Sequence, residues 1–152
     1  QRQKEVRYRR HRVFEFYPEE RRWERTDKQQ TGTLPTDRPL DDVSFLYYVR
    51  TLPLEVGKTY TIPHYFQAAG NPVILRVLRK ERVKVPLGSY DTIVVQPIIK
   101  TRGLFGEGGE AEVYLSDDLR RIPVLVRSKV KLLGYMNLAL RAYVPGEPLA
   151  GS

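Results

Sequence analysis

The sequence contains no cysteine, two histidines (His11 and His64), one methionine and one tryptophan. Without cysteine there is no disulfide framework, zinc ribbon, iron–sulfur centre or thiol nucleophile. Two isolated histidines cannot build a multi-histidine metal site. No apolar run approaches the roughly 18 residues that a membrane-spanning helix needs. Catalytic patterns are missing as well. No G-x-S-x-G surrounds Ser44, Ser89 or Ser116, and neither histidine sits in a nucleophile context. The carboxylate pairs Asp41-Asp42 and Asp117-Asp118 are adjacent in sequence, which suits a cap or a turn better than a glycosidase pair flanking a substrate. The glycine-rich stretch RGLFGEGGE, residues 102–110, lacks the Gly-Lys-Ser/Thr ending of a phosphate loop and leads into a strand pattern. These absences predict a protein that is not an enzyme and has no catalytic residue, metal or cofactor.

What is present is an ordinary folding composition: 152 residues, 41% hydrophobic and 29% charged, enough for one domain with its own core. The net charge is +8, and it is uneven. Residues 1–12 carry Arg2, Lys4, Arg7, Arg9, Arg10 and Arg12 against Glu5 alone, a net +5. A basic surface attracts phosphates, anionic headgroups or acidic proteins; the alternative is a solvated, arginine-rich strand face. The chain opens at Gln1 without a signal pattern, so a removed signal peptide or upstream segment is expected. The Pro/Gly-rich end reads as a tail, 145–152, leaving 1–144 as a single β domain.

Two-residue alternation dominates this domain. Ala111, Val113 and Leu115 point one way and Glu110, Glu112 and Tyr114 the other. Ile122, Val124, Val126 and Val130 share a face, with Arg127, Lys129 and Lys131 opposite; Met136, Leu138, Leu140, Ala142 and Val144 alternate with Asn137, Ala139, Arg141 and Tyr143. Such patterns predict antiparallel strands with one face on a core. With the intervening turn signals they predict strands near 5–17, 21–28, 58–67, 73–85, 90–101, 110–116, 121–131 and 135–144. Val113, Leu115, Val124, Val126, Leu138 and Leu140 are expected to be buried together. One helix is expected near residues 41–51, capped by Asp37 or Asp41 and ended by Pro53. The preceding DKQQTGTLPTDRP reads as a polar linker. The fold class is therefore all-β, a strongly curved antiparallel sheet or partial barrel of about eight strands with one short helix.

Three features bear on function. In the strand 73–85, Arg79 and Glu81 interrupt an otherwise apolar odd face; a bend or bulge would carry them past the core rim, or they would form an ion pair lining a cavity. Leu104 and Phe105 lie on a glycine-rich loop, where they either fold back over the sheet or touch a partner. At the chain start, Arg7, Arg9, Arg10 and Arg12 mix with Tyr8, Phe14 and Phe16, a pattern suited to a docking strand. Together with Tyr17 and Trp23 these aromatics would also suit base stacking, but no nucleic-acid module is visible and antiparallel strands carry aromatics for packing anyway.

The succession SFLYYVRTLPLEVGKTYTIP, VKVPLGSYDTIVVQPIIK, GLF and VYLSDDLRRIPVLVRSKV, within residues 44–143, resembles a family of exported Gram-negative envelope proteins catalogued as an uncharacterised domain. Its most specific part is the acidic turn and basic pair D-D-x-R-R-I-P-V: Asp117, Asp118, Arg120 and Arg121, joined by Tyr90 and Asp91 at the start of a strand. The resemblance implies a signal peptide, a periplasmic home and a curved sheet similar to that of lipoprotein carriers; no catalytic or ligand residue comes with it. The expectation is a non-enzymatic periplasmic binding or structural module, an accessory subunit docked on a protein partner in an envelope or membrane complex. The alternatives are a carrier of lipid or another hydrophobic ligand and a nucleic-acid-binding β domain.

Overall fold

The computed structural model describes residues 13–101, 105, 111–130 and 134–147. Three short strands, β1 (Phe14–Tyr17), β2 (Arg22–Arg25) and β3 (Gln30–Thr33), form one antiparallel sheet. A helix, α1 (Asp42–Arg50), follows. A six-stranded antiparallel meander then runs in chain order through β4 (Thr59–Ile62), β5 (Val73–Val85), β6 (Gly88–Ile98), β7 (Ala111–Ser116), β8 (Pro123–Val130) and β9 (Gly134–Ala139). The expected antiparallel sheet with one helix is present. Among the described residues it does not close into a barrel, because β4 and β9 each pair with a single strand.

The helix begins where the sequence places it. Asp41 Oδ1 accepts from the Ser44 backbone N–H at 2.7 Å, and Ser44 Oγ accepts from the Asp41 N–H at 2.8 Å, a reciprocal capping box. Phe45 and Val49, four residues apart, are its buried stripe. The supposed linker contains β3, which sequence periodicity misses because its side chains are polar. Gly32 sits opposite Trp23, and a Cβ there would lie 2.4 Å from the indole ring, so the bare backbone is what allows the ring to cross it. The opening strand of residues 5–17 is described only from Phe14, its earlier part lying outside the described residues.

Two bulges decide which way the long strands face. Val77 pairs with Val95 but Arg79 pairs with Val94, so Leu78 is an extra residue in β5. Before it, Val73, Leu75 and Val77 point into the main core; after it, Arg79, Glu81, Val83 and Val85 point to the opposite face. On the core side they join Ile93, Val95, Val113, Leu115 and Val126, covered by Phe45, Val49, Tyr65 and Leu34. On the other side Val85, Val94, Tyr114, Val124 and Leu125 form a second cluster, with Leu78, Val83, Tyr90 and Leu140 against it. The second bulge lies in β8, where Tyr114 pairs with Leu125 and Leu115 with Pro123. It corrects the expected joint burial of six residues: Val124 belongs to the second cluster, with Leu140 at its margin. Leu138, although paired with Val126, is 47% exposed because β9 is the edge strand.

A candidate docking face

The two faces of the six-stranded sheet differ in kind. One is sealed by α1 and by the aromatic side of β1 and β2, where Phe14, Phe16 and Trp23 stand edge-on to Phe66 with ring centroids 5.2, 5.3 and 6.2 Å away. The other, the outer face, holds a groove of about 770 Å³ lined by Arg79, Gln96, Glu112, Arg127, Lys129, Tyr135 and Asn137. The bulge at Leu78 places Arg79 there. Its guanidinium reaches over Val94, the residue paired with Arg79 on one side and Tyr114 on the other.

Arg79 is held firmly. Nη1 and Nη2 donate to the two Glu112 carboxylate oxygens at 3.0 and 2.9 Å, and Nε donates to Glu81 at 2.9 Å. The Tyr114 hydroxyl accepts from Arg79 Nη2 at 3.2 Å and donates to Glu112 at 2.8 Å. A bidentate pair of this kind is geometrically specific. The Glu112 hydrogen bonds raise the Arg79 pKa further, and burial opposes them. In return Arg79 holds the Glu112 carboxyl below its ordinary value despite partial burial. Burial, reinforced by Glu112, pushes the Tyr114 phenol up to about 12. Both carboxylates near Arg79 are thus committed to it.

Arg127 and Lys129 are not so committed. Arg127 leans over the Tyr114 ring at 5.7 Å from its centroid; Glu112, opposite it in the β7–β8 register, feels its charge but gives its carboxylate bonds to Arg79 and Tyr114. Both side chains are exposed, and neither forms an ion pair among the described residues. Tyr135 and Asn137, paired with Lys129 and Arg127, complete the wall. The strand alternation had marked Arg127 and Lys129 as facing away from the core. Glu112 was marked as outward too, and lies opposite Arg127; the arrival of Arg79 beside them depends on the Leu78 bulge.

The acidic turn is a self-contained structure at the end of the β7–β8 hairpin. Asp118 Oδ1 accepts from Ser116 Oγ at 2.8 Å and from the Arg120 N–H at 3.0 Å, while Arg120 Nη2 donates to Oδ2 at 2.8 Å. Burial raises the Asp118 pKa, but Arg120 and Ser116 outweigh it and hold it at about 2. Arg121, at a positive φ of 48°, lies 3.6 Å from Asp117, which also pairs with Lys80 at 2.8 Å. Asp91 pairs with Arg82 and its carbonyl accepts from the Asp117 N–H, each at 2.8 Å; Tyr90 packs against the second cluster. Arg50 Nη2 donates to the Arg120 carbonyl at 2.7 Å, tying the turn to the end of α1. The carboxylates of Asp117 and Asp118 are thus engaged locally, while Arg50 Nε and Arg121 Nη1 are buried without a hydrogen-bond partner among the described residues.

Of the remaining candidates, Phe105 is 1% exposed and edge-on to Phe45 at 5.8 Å, so it is a core residue with no surface to offer a partner. Leu104 and Arg7, Arg9, Arg10 and Arg12 lie outside the described residues. Among the described residues no helix is long and apolar enough to cross a membrane.

Fold and site together define an open-sheet β domain with one sealed face and one cationic face. The chain belongs to the family described as "Protein of unknown function (DUF3108)", whose model matches residues 1–140. No curated protein and no solved structure matches it.

Proposed function

We propose that the chain is a non-enzymatic docking module of the bacterial envelope, an exported accessory subunit held on an acidic protein partner by the outer face of its six-stranded sheet. The observation that carries this reading is the pair Arg127 and Lys129, exposed at the groove and in no ion pair among the described residues, while Glu81 and Glu112 are bonded to Arg79 and Glu112 shares only its field with Arg127 opposite. Cations in excess of the carboxylates around a recess steer and orient an acidic surface. The resemblance to exported envelope proteins supports the periplasmic placement. A hydrophobic carrier has less support, since the groove is lined by charged and polar side chains and the apolar clusters are filled with side chains. The aromatics Phe14, Phe16 and Trp23, which a nucleic-acid platform would need free, are packed on Phe66.

The test is charge reversal. Arg127→Glu combined with Lys129→Glu should release the protein from its native envelope fraction at lower salt, with a melt close to wild type, because exposed substitutions typically change stability by about 0.5 kcal/mol or less each. Retention with an unchanged salt profile contradicts the reading.

A further inference from the structure

β9 ends the sheet, and among the described residues nothing pairs with its outer edge. Exposed edges are usually blunted by charge, proline, a bulge or shortness. The other edge strand, β4, has four residues. β9 uses none of the chemical devices: Gly134-Tyr135-Met136-Asn137-Leu138-Ala139 carries no charge and no proline, and its register with β8 is regular throughout. We infer that β9 accepts an added strand, an extended segment of the docking partner that alternates acidic and apolar residues.

The backbone direction gives the first argument. The Leu140 N–H donates to the Val124 carbonyl at 2.9 Å. In an antiparallel ladder hydrogen-bonded pairs alternate, so Met136 and Leu138 also bond to β8, and the N–H and C=O groups of Tyr135, Asn137 and Ala139 point outward. Those groups are a template for a further strand.

The side chains give the second argument and specify the partner. On the core side of β9, Met136 and Leu138 are 42% and 47% exposed, continuing the row of Ser128 and Val126 beyond its cover. Apolar residues of an added strand would cover them. On the outer side stand Tyr135 and Asn137, with Lys129 and Arg127 one strand further in. An added strand would lie roughly 10 Å from β8, two strand spacings, which a long cationic side chain and a glutamate span between them. Acidic residues at alternate positions would therefore meet the two cations. A second copy pairing through its own β9 would bring no carboxylate on that strand. Charge complementarity favours the acidic partner.

The inference rests on the docking reading, and the experiment separates the two. The full chain is titrated with three labelled ten-residue peptides: alternating Glu and Val, the same composition in two blocks, and alternating Lys and Val. Binding is read by anisotropy, and amide exchange is read along β9. The alternating acidic peptide should bind at least tenfold more tightly than the other two and should protect the Tyr135, Asn137 and Ala139 amides. Asn137→Pro should weaken it at least tenfold, because that N–H points outward and its loss removes no bond to β8. If that variant fails to fold, a peptide N-methylated on its β9-facing amides should lose binding to the wild-type chain. Equal binding of the block peptide, or unprotected β9 amides, overturns the inference, as does self-association through β9 that excludes the peptide. In the envelope, Asn137→Pro staying docked while the double charge reversal is released overturns strand addition and leaves docking standing. Both variants staying docked overturns the docking reading.

Discussion

Asp118 shows how a single carboxylate can be spent on structure. Its two oxygens accept from Ser116, from the backbone of Arg120 and from the Arg120 guanidinium, which keeps its pKa near 2 in the folded chain. The unfolded value is roughly 3.9. A depressed folded pKa means stability that is present above the unfolded value and lost as pH falls through the folded one. Glu112, also depressed by its pairing with Arg79, acts in the same direction. Urea melts should show stability declining as pH falls from about 4 toward 2. Asp118→Asn should be less stable than wild type at neutral pH and should lose less of its remaining stability across that window. An equally steep acid limb in the variant would mean that the turn contributes nothing through this carboxylate.

At the scale of elements, the bulge at Leu78 makes an unusual claim about a deletion. Removing one residue from a continuous strand inverts every side chain beyond it. Here Leu78 is the supernumerary residue, so its deletion should leave Arg79 opposite Val94 and still on the outer face. The variant should fold cooperatively, at a cost of about 1–3 kcal/mol for the lost packing. A collapsed, non-cooperative melt would show that the strand is read in the wrong register.

The same element shows what could be read from the sequence and what could not. Alternation in Ala111–Ser116 and the apolar run Ile93-Val94-Val95 identify β7 and β6, and Asp41 and Pro53 frame the helix, because these signals are local. β3 escaped because its side chains are polar and Gly32 serves a cross-strand neighbour, Trp23, rather than an apolar pattern of its own. Arg79 and Glu81 interrupt the apolar odd face, and the bend or bulge expected from that is present at Leu78; the hydrophobic pattern alone did not give the face of Val124, which the second bulge sets. Leu138 alternates like a core residue, and only its place on the last strand exposes it. For the site, the cations of β8 were legible as an outward face, but the arrangement in which Arg79 takes the hydrogen bonds of Glu81 and Glu112 was not.

At the scale of the whole molecule, the three-stranded sheet and α1 cover one side of the larger sheet, while the other side carries the smaller cluster around Val94 and Tyr114 and, beside it, the open groove. Phe66 is the joint, meeting Phe14, Phe16 and Trp23 in edge-on contacts. The sealed face supplies the main core, so the part of the outer face beyond the smaller cluster can carry charge. The central claim is that this face docks, and lysine footprinting addresses it most directly. Acylation of Lys129 should slow several-fold when the protein is on its native envelope fraction compared with the same protein washed off by salt, while Lys28 in the β2–β3 turn and Lys58 beside β4 react at unchanged rates. An unchanged rate at Lys129 in the docked protein would contradict the account.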